Sequence, residues 1–236
     1  MIARTPLRAL WLTALTVCAA RQAAAQDVFG HTPENSPYRY VESPRELSLF
    51  GGYLIAGKDP AGVAPQSATL VGIREMLHLG GPVMFYTRLA HSFSQRTVVD
   101  PAAPISARFL GTRDDALTIF DLDLGIDLTG DRSWHNIMPY FGAGPAVVSD
   151  MGAPRDKGKY HFGTTFAATY GGGFRWVPPG RLSIHADVNA YEWLHHYPAT
   201  YHTNAFGTPV LPTTHKLAAW RDNGTFTLGA SFAIWR

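Results

Sequence analysis

Hydrophobic residues recur at every second position through most of the chain. The last segment shows the pattern plainly: Phe226, Leu228, Ala230, Phe232 and Ile234 alternate with Thr225, Thr227, Gly229, Ser231 and Ala233. A period of two belongs to a strand, whose successive side chains point to opposite faces. The alternation predicts eight strands, at about Glu46 to Ala56, Ala68 to Leu79, Val83 to Ser94, Asp115 to Leu128, Ile137 to Val148, Phe162 to Val177, Arg181 to Trp193 and Asn223 to Trp235. Each is long enough for a tilted strand to cross hydrocarbon, which takes roughly 9 to 11 residues.

The connections alternate in length. Gly80-Gly81-Pro82, Thr129 to Asn136 and Pro178-Pro179-Gly180 are short, whereas Gly57 to Ser67, Gln95 to Asp114, Ser149 to His161 and Leu194 to Asp222 are long. An even number of strands with short turns at one end and long loops at the other is the organisation of an outer-membrane barrel. Residues 26–45, with Pro33, Asn35, Ser36 and Pro37 and no apolar period, read as an arm ahead of a barrel spanning 46–236.

The faces can be assigned strand by strand. In the fourth, Phe120, Leu122, Leu124, Ile126 and Leu128 oppose Asp121, Asp123 and Asp127. In the seventh, Leu182, Ile184, Ala186 and Val188 oppose Ser183, His185, Asp187 and Asn189, and in the sixth Phe166, Tyr170, Phe174 and Trp176 oppose Thr165, Thr169, Gly171, Gly173 and Arg175. An eight-stranded interior is only just wide enough for side chains to fill, so the bulky residues are expected outside and the small or polar ones inside. A soluble barrel of lipocalin type would reverse this, and the directions of Asp123 and Leu124 separate the two readings.

The inward candidates are Arg88, Asp121, Asp123, Asp127, Arg175, His185 and Asp187. Buried charges need partners, so a salt-bridged polar network filling the lumen is expected. Aromatic girdles are expected at both rims: Trp176 and Trp235 at the short-turn rim, and Phe93, Tyr160, Phe162, Tyr191 and Trp193 at the other. Two strands resist. Glu75 falls on the apolar face of the second, which calls for a bulge near Arg74 or a position close to an interface. Pro139 and Pro145 interrupt the fifth, with Pro139 expected at its start and a bulge or early loop near Pro145.

Arg4 and Arg8, the apolar stretch Ala9 to Val17 and the small residues Ala23-Ala24-Ala25 read as a secretory signal peptide over 1–25. Cys18, the one cysteine, lies within it; a lipid on Cys18 is the rival reading, with Val17 too bulky for a lipoprotein box. The formal charge of +2 includes Arg4, Arg8 and Arg21; without them 17 basic residues face 18 acidic ones. That balance gives no electrostatic case for nucleic acid.

The order Thr227-x-Gly229-x-x-Phe232-x-Ile234 resembles the terminal assembly signal of bacterial outer-membrane barrels. With the Gly-Gly-Pro turn and the loop asymmetry, Glu46 to Arg236 resembles the small OmpA-, OmpX- and OmpW-like group. The resemblance implies an eight-stranded antiparallel transmembrane β-barrel with short periplasmic turns and long extracellular loops. It also implies outer-membrane lipids as surroundings and insertion from the periplasm by the barrel-assembly machinery. It does not imply one activity, since such a fold hosts several. A structural or surface-interaction role, with an extracellular ligand possible at the loops, is the first expectation, a narrow pore for small solutes or ions the second and a lipid-modifying enzyme the third.

Other constellations are weaker. Same-face neighbours on a strand stand about 6.5 to 7 Å apart, which makes direct hydrogen bonds among Ser183, His185 and Asp187 as a triad awkward and favours cross-strand partners, and is poorly suited to converging Asp121, Asp123 and Asp127 on calcium. His195, His196, His202 and His215 in the fourth long loop match no zinc spacing. His202-Thr203-Asn204 faintly resembles the His-x-Ser-Asn stretch of lipid A deacylases but lacks the serine. No catalytic residue, cofactor or metal is expected.

Overall fold

A computed structural model describes residues 36–41, 45–203 and 208–235. The proposed signal peptide, most of the arm and Asn204 lie outside the described residues. Eight antiparallel strands close on themselves: β2 (Arg45–Ile55), β3 (Ala68–Gly80), β4 (Val83–Ser92), β7 (Leu117–Asp127), β9 (Ile137–Ser149), β10 (Thr164–Trp176), β11 (Leu182–His196) and β12 (Ala218–Trp235). Each pairs with the next, and β12 returns to β2, from Gly224 opposite Ile55 to Trp235 opposite Arg45. The eight predicted strands are these eight, and the fold is a closed antiparallel barrel.

Two short ribbons are added. In the second long loop, β5 (Gln95–Val99) pairs with β6 (Phe109–Asp114). At the short-turn end, β1 (Tyr38–Tyr40) pairs with β8 (Arg132–Trp134), so three residues expected in an irregular arm form a strand. The fourth long loop is shorter than expected, because β11 runs to His196 and β12 begins at Ala218.

The turns follow from backbone sterics. Gly80 and Gly81 have φ of 112° and 57°, which glycine adopts without a Cβ penalty. His135 and Asn136, with φ of 49° and 65°, make the tight two-residue connection between β8 and β9 whose twist suits a hairpin.

Side-chain polarity is inverted relative to a soluble barrel. Leu124 is 59% exposed on the outside while Asp123 beside it is 1% exposed within. Leu49, Val71, Leu89, Phe120, Phe141, Phe166, Phe174, Val188, Phe226 and Leu228 extend the outer apolar surface around the whole circumference.

Several expectations are corrected. Tyr191 and Trp193 point into the barrel rather than joining a girdle, since period-two counting from Asp187 carries both rings inward. Tyr160 is buried among the loops and Phe162 packs against the lumen core. Phe93 and Trp176 are exposed at opposite rims; the side chain of Trp235 lies outside the described residues.

No bulge forms at Arg74. Glu75 faces outward near the short-turn rim, where Arg45 Nε donates to its Oε1 at 2.6 Å, and the register shift falls later, between His78 and Gly80. Strand β9 runs straight through both prolines: Ala168 stays opposite Pro145, and only the ladder to β7 lapses between the Asp121–Ala146 and Leu124–Ala143 pairs. A proline costs one donor on one side, and pairing with β10 on the other keeps the strand in line.

Candidate functional site: the lumen and the loop dome

Three polar levels fill the part of the lumen nearer the short turns. Nearest the short turns, Arg175 Nη1 donates to Glu46 Oε1 at 2.9 Å and Nη2 to Asp127 Oδ2 at 3.2 Å. His78 Nε2 lies 3.2 Å from the same Asp127 oxygen, and the sulfurs of Met76 and Met138 flank the guanidinium. The next level joins Arg74 Nη1 to Asp187 Oδ2 at 3.3 Å and to the Tyr140 hydroxyl at 2.7 Å; Tyr140 also donates to Asp187. Thr227 Oγ1 donates to Asp187 Oδ2 at 3.3 Å. Above it, Arg88 forks to Asp121 Oδ1 at 2.8 Å and Asp123 Oδ2 at 2.6 Å, and the Tyr191 hydroxyl donates to Asp121 Oδ2 at 2.6 Å. The Arg88 guanidinium lies over the rings of Tyr86 and Tyr191, at 5.2 and 5.8 Å, a cation–π arrangement that partly replaces lost hydration.

Arg88, Asp121, Asp123, Asp127, Arg175, His185 and Asp187 all face inward. Their partners Glu46, Arg74, His78, Tyr140 and Tyr191 were not among the candidate residues, although each sits on the inward phase of its strand. Glycines opposite make the room: a Cβ on Gly142 would meet the Tyr86 hydroxyl at 2.3 Å, and one on Gly144 would meet Asp123 Oδ1 at 2.8 Å and the Leu122 carbonyl oxygen at 1.8 Å.

The polar filling stops short of the long-loop end. Leu54, Leu70, Leu117, Ile119, Val148, Tyr191 and Trp193 are buried together across the lumen, which corrects the expectation of a polar interior throughout. At the boundary with Arg88 a void of about 10 Å³ remains, lined by Phe50, Leu70, Ile119, Asn189 and Thr225 among others. That is room for a single water.

Ser183 donates to Glu46 Oε2 at 3.4 Å, and His185 Nδ1 is 3.2 Å from Ser231 Oγ, which in turn is 2.7 Å from Ser48 Oγ. His185 Nε2 stands 3.7 Å from Asp187 Oδ2. Ser183, His185 and Asp187 therefore do not form one relay. Among the described residues no group of three His, Cys, Asp or Glu side chains is arranged to hold a metal.

Of the terminal-signal residues, Phe232 and Ile234 face outward. Thr227 and Gly229 belong to the lumen: a Cβ on Gly229 would meet the His185 ring at 2.4 Å.

Beyond the apolar level the long loops pack into a dome. Val63 of the first, Val99 of the second, Tyr160 of the third and Tyr197, Tyr201 and Leu211 of the fourth share one buried core. Arg96 at its base pairs with Asp115 at 3.3 Å and Asp156 at 3.0 Å and lies over the Tyr160 ring at 4.9 Å. Asp59 accepts from the amides of Ala61, Val63 and Ala64 and from the Tyr197 hydroxyl, which also accepts from Arg221 Nη2 at 3.0 Å. Burial pushes the Asp59 carboxyl up, but the Tyr197 hydroxyl and the loop amides outweigh it and hold the group below its ordinary 3.8. Burial and the same contact keep the Tyr197 proton in place far above the usual phenol range. His195 meets the Tyr160 hydroxyl at 3.1 Å, and His202 lies just after the turn Ala199–Tyr201.

No protein-family model matches the chain, and no curated protein matches it. Among solved structures it is similar to Neisserial surface protein A, at 13% identity over 81% of this chain and 98% of that one with a TM-score of 0.49. It is also similar to the outer membrane protein OprG from Pseudomonas aeruginosa, at 12% identity over 81% and 96% with a TM-score of 0.48. The N-terminal β-barrel domain of OprF from the same organism gives 12% identity over 80% and 97% with a TM-score of 0.46. Likeness at this level adds nothing to what the strand order and side-chain directions establish.

Proposed function

We propose that the protein is an integral outer-membrane barrel with a structural or surface-interaction role: a closed, non-conducting scaffold that presents its packed loop dome outside the cell. The observation that carries this reading is the inverted polarity. A closed barrel is the one sheet that satisfies its backbone groups in hydrocarbon, and the outward Leu49, Leu124, Phe174 and Leu228 suit lipid while the charges inside are paired. The filled lumen favours a scaffold over a pore, because an apolar layer stands across any path that Arg88 and Asp121 would line. Loops on a rigid framework are where binding is usually placed, and the shared core of this dome presents them as one surface.

Extraction and conductance test the reading. The protein is expected to require detergent for extraction, to migrate differently on a gel before and after boiling, and to give no discrete openings in a planar bilayer. Extraction by salt alone refutes the membrane assignment. Steady openings that change with Asp121→Asn establish the pore instead.

A further inference from the structure

The short-turn end carries a second ordered surface that the lumen does not account for. Tyr38, Arg39 and Tyr40 of β1 stand opposite Trp134, Ser133 and Arg132 of β8, and the Val41 amide donates to the Asp131 carbonyl at 3.0 Å. The inner face of this ribbon is tied to the barrel. Arg39 Nε donates to Asn136 Oδ1 at 3.2 Å and Nη2 to the Val177 carbonyl, while the Ser133 hydroxyl donates to the Arg39 carbonyl at 3.3 Å.

The outer face follows from register. Trp134 pairs with Ile137 across the two-residue turn, and Ile137 pairs with Trp176 of β10. Directly opposed residues share a face, so Trp134 lies on the same outward surface as Ile137 and Trp176. Tyr38 is opposite Trp134, and Tyr40 and Arg132 are two positions further along, so they lie on it too. The three rings are 51%, 59% and 48% exposed for Tyr38, Tyr40 and Trp134. The barrel's apolar exterior thus continues past its last turn as a cluster of tyrosine and tryptophan rings with a cation alongside.

We infer that this ribbon lies in the headgroup layer of the leaflet on the short-turn side, with Tyr38, Tyr40 and Trp134 seated between glycerophosphate and acyl chains and Arg132 at the lipid phosphates. Amphipathic rings concentrate at that depth, and a guanidinium suits phosphate oxygens. Continuity with the lipid-facing belt selects lipid over a periplasmic protein as the occupant. The inference rests on the membrane assignment proposed above.

The test reconstitutes the protein in vesicles of phosphatidylethanolamine and phosphatidylglycerol carrying bromine at shallow or deep acyl positions. Comparison with Trp134→Phe isolates the emission of that ring, comparison with Trp176→Phe that of the belt, and heat-modifiable migration checks that each variant is folded. Both rings are expected to be quenched, Trp134 more by shallow than by deep bromine. Quenching of Trp176 without Trp134 overturns this inference and leaves the membrane assignment standing; quenching of neither overturns both. Arg39→Ala, which loosens β1, is expected to lose part of the shallow quenching of Trp134, and unchanged quenching would overturn the part assigned to the stapled strand.

Discussion

Along β7, Leu117 and Ile119 point into the barrel, and on the same phase so do Asp121, Asp123 and Asp127. Along β11 the order is mirrored: Asp187 and Asn189 face inward, then Tyr191 and Trp193. The half of the lumen nearer the short turns is closed by paired charges and the half beneath the dome by apolar packing, although the same strands line both. Inward position alone therefore does not require polarity. What it requires is that whatever is buried be compensated, by ion pairs in one half and by close packing in the other.

The two halves should fail differently. The largest effect is expected from Arg88→Ala, which strands Asp121 and Asp123 without their shared partner; breaking a buried pair in this way costs about 3–5 kcal/mol. Urea unfolding in lipid or detergent measures it. Adding Asp121→Asn and Asp123→Asn should recover much of the loss, and failure of that rescue would show that Arg88 acts through its packing on Tyr86 and Tyr191 instead.

Next comes a comparison of inside with outside. Leu124→Arg sets a charge on the outer face and should destabilise the lipid-embedded barrel by roughly 2–4 kcal/mol near the midplane, less toward an interface. A neutral result would mean that this face meets water. In the apolar half, Ile119→Val removes one methylene from a packed layer and is expected to cost about 0.5–1.5 kcal/mol. No cost would mean that the layer is loosely packed, and the contrast with the charged half would weaken.

The smallest effect is local to the dome. Because the folded Asp59 carboxyl titrates below its ordinary 3.8, its contribution is present above that value and is lost as pH falls through the lower folded value. Hydrogen exchange at the Ala61, Val63 and Ala64 amides, corrected for intrinsic rate, should accelerate at acid pH while the β7 ladder stays protected. Acceleration in both together would make dome and barrel one cooperative unit.

Much of the barrel was legible residue by residue. Strand phase alone placed Asp121, Asp123, Asp127, Arg175, His185 and Asp187 on the face that the structure turns inward, because a period of two leaves each side chain only two directions. The same counting, carried four and six positions on from Asp187, places Tyr191 and Trp193 inside; expecting every aromatic near a strand end to join a girdle hid it. Arg74 and Glu46 were missed for another reason: their partners, Asp187 and Arg175, lie 113 and 129 residues away, and nothing local announces such a pair. The Tyr38–Tyr40 strand was equally silent, since three residues carry no measurable period and its partner β8 lies within a connection that reads as a turn.

Taken alone, the chain's alternation determined the eight barrel strands and which residues of each share a face, because these follow from short-range geometry repeated along the backbone. Only the tertiary structure decided which carboxylate meets which guanidinium, where charge gives way to apolar packing and how the long loops share one core. Those outcomes depend on register across the cylinder and on which side chains the narrow interior brings within a hydrogen bond, and neither is written in any single strand.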